Sequence, residues 1–95
     1  MAMHVISKRL LREFWTKVPE SELPLIRWHT QMVRGTFGSF ADLKRAIPAA
    51  DWVKPYVVFD IGGNKYRLVA DVVFQSSTVF VKSVMTHTEY RKWKP

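Results

Sequence analysis

The last third of the sequence carries four side chains whose types suit acid–base chemistry on a phosphodiester. They are two cations, a histidine and a tyrosine: Arg67, Lys82, His87 and Tyr90. Metal-free cleavage of RNA needs a base for the 2′-hydroxyl proton, a fixed positive charge for the phosphorane, and an acid for the leaving 5′-oxygen. These four residues are therefore the candidate catalytic residues, and either His87 or Tyr90 is expected to transfer the proton.

The charge balance favours an anionic partner. The chain has 15 Lys and Arg against 8 Asp and Glu, a formal net charge of +7. Such a surface attracts phosphate backbones, although many small basic domains use their charge only for solubility. We assign RNA binding to four polar or cationic residues near the catalytic candidates: Asn64, Lys65, Arg91 and Lys92.

Composition excludes several other kinds of site. The chain has no cysteine, and His4, His29 and His87 lack the spacing of metal ligands. His29 lies on the apolar face of a predicted helix, where a packing role is expected. No apolar run approaches the ~18 residues that cross a bilayer. We therefore expect a single domain over residues 1–95, cytoplasmic, with no metal, no cofactor and no membrane contact.

The first half of the sequence has helical periodicity. Apolar residues recur at three- and four-residue spacing after Ser7, a candidate N-cap, until Pro19 stops the pattern. A second helix is predicted from Ser21, as N-cap, to Gly35, as the residue after the last turn. A short third helix is predicted over residues 40–46. The first two are expected to form an antiparallel pair.

The second half changes to a period of two. Residues 56–61, 65–74 and 79–85 are rich in Val and aromatic side chains and are separated by turn residues. They predict a three-stranded antiparallel meander, joined to the helices by a link over 49–55. Residues 87–93 follow a capping-box spacing and predict a short terminal helix. The fold class expected is α+β, with the helical pair on one face of a small antiparallel sheet.

Alternation along the strands assigns each residue to a face of the sheet. One face is apolar and is expected to be the core, covered by the helical pair: Val57, Phe59, Ile61, Tyr66, Leu68, Ala70, Val72, Phe74, Val79 and Val81. The opposite face mixes apolar and charged residues. With the helical pair committed to the core, this second face is expected to be open.

The turns suggest a register on the open face. If the two adjacent glycines form a two-residue turn, Asp60 faces Lys65, and the next turn places Asp71 opposite Lys82. Both lysines then have an ordinary cross-strand acid, so solvated ion pairs explain them without any function. Arg67 has no acid opposite it in this register, which favours a functional role.

Two stretches of the second half resemble a known family. VFDIGGNKYRLVA over residues 58–70 and VMTHTEY over 84–90 strongly resemble the HigB-type toxins of bacterial type II toxin–antitoxin systems, and the similarity extends over the full chain. The resemblance implies a RelE-like fold and an mRNA interferase that cuts mRNA in association with the ribosome. It also implies a helix-turn-helix antitoxin, HigA, that neutralises the toxin, represses the shared operon and alone contacts operator DNA.

The family's pattern carries over residue by residue. Five positions match it: Asn64, Arg67, His87, Glu89 and Tyr90. Lys82 stands where a cation is usual. Asp60 departs from the pattern, because an asparagine is common there, and it places an acid close to the expected phosphate site.

Two other functions remain open from the sequence. One is a non-catalytic basic RNA-binding module with Tyr56 and Phe80 as stacking platforms on the open face. The other is a toxin of the same fold that acts on a protein target, as the gyrase-directed ParE relatives do. Metal-independent cleavage of mRNA on ribosomes would indicate an enzyme and not an RNA-binding module. A DNA supercoiling assay would detect a toxin that acts on gyrase.

Overall fold

The computed structural model describes residues 2–93. Nine helices and strands follow one another within them: β1 (His4–Ile6), α1 (Lys8–Lys17), α2 (Glu22–Arg34), α3 (Phe40–Ala46), β2 (Ala50–Val53), β3 (Tyr56–Ile61), β4 (Tyr66–Val73), β5 (Thr78–Thr86) and α4 (His87–Lys92). Single 3₁₀ turns precede α2 and follow β4. The predicted α+β class is confirmed.

The sheet has five strands in the order β1-β5-β4-β3-β2. The predicted meander forms its centre, and β1 pairs with β5 in parallel while all other pairs are antiparallel. The sequence prediction missed both edge strands and treated 49–55 as a link. The reason is length, because strands of three and four residues show too little alternation to detect and depend on backbone pairing with a neighbour.

The predicted helices are confirmed, but the predicted starting caps of the first two are not. Ser7 adopts a left-handed conformation with φ 77° and makes no side-chain capping bond. Ser21 instead donates its hydroxyl to the carbonyl oxygen of Val18, at 2.7 Å. Ser39, before α3, accepts a hydrogen bond from the first-turn amide of Asp42, at 3.2 Å. Within residues 2–93, none of the helices combines the length and apolar character that crossing a membrane requires.

Gly35 ends α2 as predicted, for a different physical reason. Its backbone is extended, with φ −77°, so no left-handed conformation calls for glycine there. A Cβ at this position would lie 2.2 Å from the ring of Phe37. Close approach of this buried ring to the backbone is therefore what requires a glycine.

The core lies between the helices and the face of the sheet that alternation assigned to it. Side chains of that face and of α1 and α2 form one cluster. Trp28 of α2 meets Phe59 edge to face at 5.3 Å between ring centroids, and Phe14 of α1 meets Tyr66 in the same way at 5.6 Å. The predicted core face is confirmed.

The register between β3 and β4 differs from the predicted one by two residues. Asp60 pairs with Arg67 and Ile61 with Tyr66, so four residues, 62–65, form the turn. Three successive turn residues have positive φ, namely Gly62 at 65°, Gly63 at 64° and Asn64 at 80°. Because the slip is even, every side chain keeps its predicted face although its partner changes.

A β-bulge shifts the register between β4 and β5. Val69 pairs with Ser83 but Ala70 pairs with Val81, which leaves Lys82 as the extra residue. Asp71 therefore faces Phe80. The predicted cross-strand pairs of Asp71 with Lys82 and of Asp60 with Lys65 are both wrong.

The second face of the sheet is only partly open. Val58, Val69 and Met85 form a small buried cluster there, and Tyr90 and Trp93 pack against it. Helix α4 thus covers this part of the face, where the sequence analysis expected no cover. The apolar residues at the centre of that face supply the surface that holds α4 in place.

Candidate functional site

Arg67 is buried on the second face of the sheet, with 8% of its surface exposed. Its Nε lies 2.9 Å from Oδ1 of Asp60. Nη1 donates to the carbonyl oxygens of Asn64 at 3.2 Å and Tyr66 at 3.1 Å, and Nη2 donates to Oδ1 of Asn64 at 2.6 Å. The expectation of an exposed Arg67 with no acid opposite was wrong.

The observed register explains this arrangement. Because the turn contains four residues instead of two, Asp60 comes directly opposite Arg67. The left-handed conformation of Asn64 brings both its carbonyl and its side chain to the guanidinium. Three of the five guanidinium N–H groups donate to oxygens of Asn64 and Tyr66, and the Asp60 carboxylate forms an ion pair beside Nε. The positive charge is thus held in one orientation before any ligand arrives.

Tyr90 of α4 lies against the same guanidinium. The guanidinium carbon of Arg67 is 5.4 Å from the centroid of the Tyr90 ring, a cation–π distance. On its other side Tyr90 stacks on Trp93 at 5.6 Å and 22°. We call Asp60, Asn64, Arg67 and Tyr90 the arginine cluster. It brings together two of the four candidate catalytic residues and one of the candidate RNA-binding residues.

His87 lies at the edge of the arginine cluster, at the start of α4. Thr86 and Glu89 form the predicted capping box, with the Thr86 amide 2.8 Å from the Glu89 carboxylate and the Glu89 amide 3.1 Å from the Thr86 hydroxyl. The His87 amide donates to the carbonyl oxygen of Lys65 at 2.9 Å. The start of α4 is therefore joined to turn 62–65, and both His87 and Lys65 are exposed there.

Lys82 is not part of this cluster. As the bulge residue of β5 it is exposed, and its Nζ lies 5.8 Å from the ring centroid of Phe80. It lines a cavity of about 170 Å³ together with residues of α1. Met85, the partner of Arg67, lies three positions further along β5, which is about 10 Å along the strand.

The remaining candidate RNA-binding residues are exposed cations around the cluster. Arg91 and Lys92 end α4 and line a cavity of about 320 Å³ with Thr88. The Nζ of Lys65 is 3.9 Å from a carboxylate oxygen of Glu20, and both side chains are exposed. An exposed pair at this distance is weak, so it leaves the Lys65 charge available to a phosphate.

Sequence reasoning missed two residues that shape the site. Asp60 was seen as a departure from the family's pattern and not as the partner of Arg67, although three successive residues that tolerate positive φ signal a turn longer than two. Trp93 was missed, although its spacing of three from Tyr90 puts both rings on one helix face. The ring centroid of Trp93 also lies 6.1 Å from that of Tyr56. Tyr56 is half-buried, so its ring is a poor platform for stacking an RNA base.

Two further sequence expectations concern His29 and the residues that could bind a metal ion. His29 is half-buried in α2, and burial, followed by the charge of Lys8, lowers the pKa of its imidazole below 6.5. A partly packed histidine was expected there. Among residues 2–93, no three His, Asp or Glu side chains are grouped closely enough to hold a metal ion.

Comparison with known proteins gives consistent results. The HigB toxin family, described as the RelE-like toxic component of a toxin–antitoxin system, matches residues 21–93, which include the whole arginine cluster. The mRNA interferase toxin HigB of Escherichia coli K12 is 33% identical over 91 residues, 93% of this chain and 88% of that protein. The mRNA interferase HigB of Shigella flexneri gives the same values. That of Escherichia coli CFT073 is 32% identical over 93 residues, 95% and 90% of the two chains.

Proposed function

The chain belongs to the HigB family of RelE-like toxins of toxin–antitoxin systems, and from this we propose that it is an mRNA endoribonuclease. One structural observation supports the proposal most strongly. A buried guanidinium is fixed by Asp60 and Asn64 and lies against the Tyr90 ring, which gives the oriented positive charge that a phosphorane needs. Relatives at 33% identity over most of both chains are named mRNA interferases.

The proposed reaction is transfer of the phosphodiester to the neighbouring 2′-oxygen. The 2′-oxygen forms a bond to phosphorus as a base takes its proton, and the bond from phosphorus to the 5′-oxygen breaks as an acid protonates that oxygen. Arg67 supplies the positive charge for the phosphorane, whose negative charge exceeds that of the ground state. His87 or Tyr90 transfers the proton, and no metal takes part.

The exposed cations are proposed to hold the RNA around this centre. Asn64 and Lys65 lie in the turn beside Arg67, and Arg91 and Lys92 lie at the end of α4. Contacts of this kind with phosphates position the strand without reading its bases. Lys82 is proposed as a further cation that the phosphate backbone meets along the edge of β5.

Two partners complete the proposal. We propose that cleavage takes place on the ribosome, in the cytoplasm. We also propose that the antitoxin is of the HigA type, with a helix-turn-helix, and that the complex contacts operator DNA only through it. The net charge of +7 supports attraction to ribosomal RNA and to an acidic antitoxin surface.

Cleavage of a defined mRNA on programmed ribosomes tests the function. We expect the purified protein to cut the mRNA in the presence of a metal chelator at concentrations that leave the ribosomes intact. A 2′-deoxy substitution at the cut position should stop the reaction, because it removes the nucleophile. An mRNA that stays intact would contradict an enzyme and would favour a non-catalytic RNA-binding module.

Substitutions on α4 identify the residue that transfers the proton. We expect the single-turnover rate to fall by about 10² to 10⁴ in either His87→Gln or Tyr90→Phe, as loss of an acid or base implies. Thr88→Ala, also exposed on α4, is the matched control. Parent rates and pH profiles in both variants would exclude both residues and leave Lys82 as the candidate.

A further inference from the structure

A cavity of about 430 Å³ lies beside the arginine cluster, on the side of α2. Its walls come from α2, from the last residue of α3 and residues 47–49 after it, and from residues 60–63 at the end of β3 and the start of the turn. Asp60 and Gly63 belong both to this wall and to the segment that supports Arg67. The cavity and the arginine cluster are therefore adjacent and share a wall.

The lining combines apolar surface with hydrogen-bonding groups. Pro24, Pro48 and Ile61 supply apolar surface, and Arg27 and Gln31 lie one turn apart on the same side of α2. Both are exposed, and no ion pair of Arg27 occurs among the described residues. A cation and an amide next to apolar walls match a nucleotide, which has a phosphate, apolar ring faces and polar ring edges.

The backbone at the end of β3 adds further groups. Pairing between β2 and β3 begins at Ala50 and Phe59, and beyond it the Asp60 amide donates to the carbonyl oxygen of Ala49 at 3.1 Å. Ile61 follows with no strand beside it on this edge. Backbone groups of an unpaired strand end are suited to hydrogen bonds with the edge of a base.

We propose that this cavity holds one nucleotide of single-stranded RNA next to the bond that the arginine cluster cleaves. The inference rests on the proposed function, because RNA reaches this place when the protein cleaves mRNA on the ribosome. A volume of about 430 Å³ lies within the range of small-molecule sites. The nucleotide comes either from mRNA or from the ribosomal RNA around it, and the same chemistry serves both.

Two substitutions of different kinds test the cavity. Ala46→Leu fills it without a change of charge, and its control is Ala41→Leu, also exposed on α3 but outside the cavity. Arg27→Gln removes the cation, and its control is Arg12→Gln, which makes the same change of charge on α1. All four variants keep residues that are common in helices, and circular dichroism confirms that they fold.

The measurement is single-turnover cleavage as a function of the concentration of programmed ribosomes. We expect the half-saturating concentration to rise about tenfold in Ala46→Leu and in Arg27→Gln, as loss of one good polar contact implies. The rate at saturation should stay within about twofold of the parent, because the cavity binds a part of the RNA that does not react. Both controls should behave as the parent does.

A binding measurement separates the two sources of RNA. The amount of each toxin variant that sediments with ribosomes lacking mRNA is compared with the parent. If this amount is unchanged in the cavity variants, the nucleotide belongs to mRNA. If it falls, the nucleotide is ribosomal. If the parent cleaves mRNA and both Ala46→Leu and Arg27→Gln keep its half-saturating ribosome concentration, the subsite is wrong but the proposed function stands. Failure of the parent to cleave would overturn the proposed function and this subsite with it.

Discussion

Arg67 ties the stability of the protein to its proposed chemistry. Its guanidinium is buried and is bound by Asp60, Asn64 and the Tyr66 carbonyl, while Tyr90 lies against it. A buried cation needs such partners, because desolvation without them is costly. The contacts that make burial possible also hold the charge in one orientation.

We predict that Arg67→Ala lowers the free energy of unfolding by about 1 to 3 kcal/mol, because it leaves hydrogen-bonding groups of Asp60 and Asn64 without partners. The side chain of Asp60 is 38% exposed, so water compensates part of the loss. Urea denaturation measures the change. Arg91→Ala, an exposed cation on α4, should stay within about 0.5 kcal/mol of the parent. Equal stability of the two variants would contradict the buried network.

His29 makes the stability depend on pH. Burial and the nearby Lys8 lower its pKa in the folded state, so the unfolded state binds more protons as the pH falls below about 6.5. We therefore predict that the His29 contribution is fully present above pH 6.5 and is lost as the pH falls toward the lower folded pKa. Denaturation of the parent and of His29→Gln at several pH values measures this. If the free energies of unfolding of the parent and of His29→Gln change in parallel between pH 7 and 5, the pKa of His29 does not change on folding.

At the scale of elements, α4 positions the site. It covers the small apolar cluster on the second face and brings Tyr90 to Arg67. It begins with a capping box, and the amide of its first residue, His87, donates to the carbonyl oxygen of Lys65. A helix of six residues is too short to be stable alone. Its position therefore depends on the cap and on the apolar contacts of Tyr90 and Trp93.

We predict that Thr86→Ala loosens α4 more than it destabilises the fold. Loss of an N-cap side chain costs about 1 kcal/mol, which corresponds to about fivefold faster opening of the helix. Hydrogen exchange of the α4 amides, compared with the amides of β4, measures it. Thr88→Ala serves as the control because its side chain caps nothing. Equal protection of α4 in the two variants would show that the capping box does not hold the helix.

The sequence predicted the elements that depend on local patterns. Periodicity located α1 to α3 and the three central strands, the capping box located α4, and alternation assigned the correct core face. Pairings between strands were not predictable in this way. A turn of four residues and a bulge at Lys82 changed every charged pair that the expected register implied. The environment of Arg67 depends on those pairings, which explains why its burial was missed while its candidacy as a site residue came from residue type and resemblance.

At the scale of the whole molecule, the site is formed at one end of the sheet by segments far apart in the sequence. Turn 62–65 and the start of α4 meet there, and the cavity beside α2 is lined in part by Asp60 and by Gly63 of this turn. The excess of positive charge is spread over the chain, so in the proposed function it attracts RNA to the whole surface without selecting a sequence. Under the proposed function, selection of the cleaved bond is therefore left to the local geometry around Arg67.

The central claim is that the arginine cluster, and not the net charge, cleaves mRNA. Single-turnover cleavage on programmed ribosomes by Arg67→Lys tests it, with Lys82→Arg as a matched exchange of cations outside the cluster. Lysine keeps the charge but not the planar set of donors that Asp60 and Asn64 hold. We predict that Arg67→Lys loses about 10² to 10³ in rate, as removal of one oriented transition-state contact does, while Lys82→Arg stays close to the parent. Parent-like cleavage by a folded Arg67→Lys would contradict the claim.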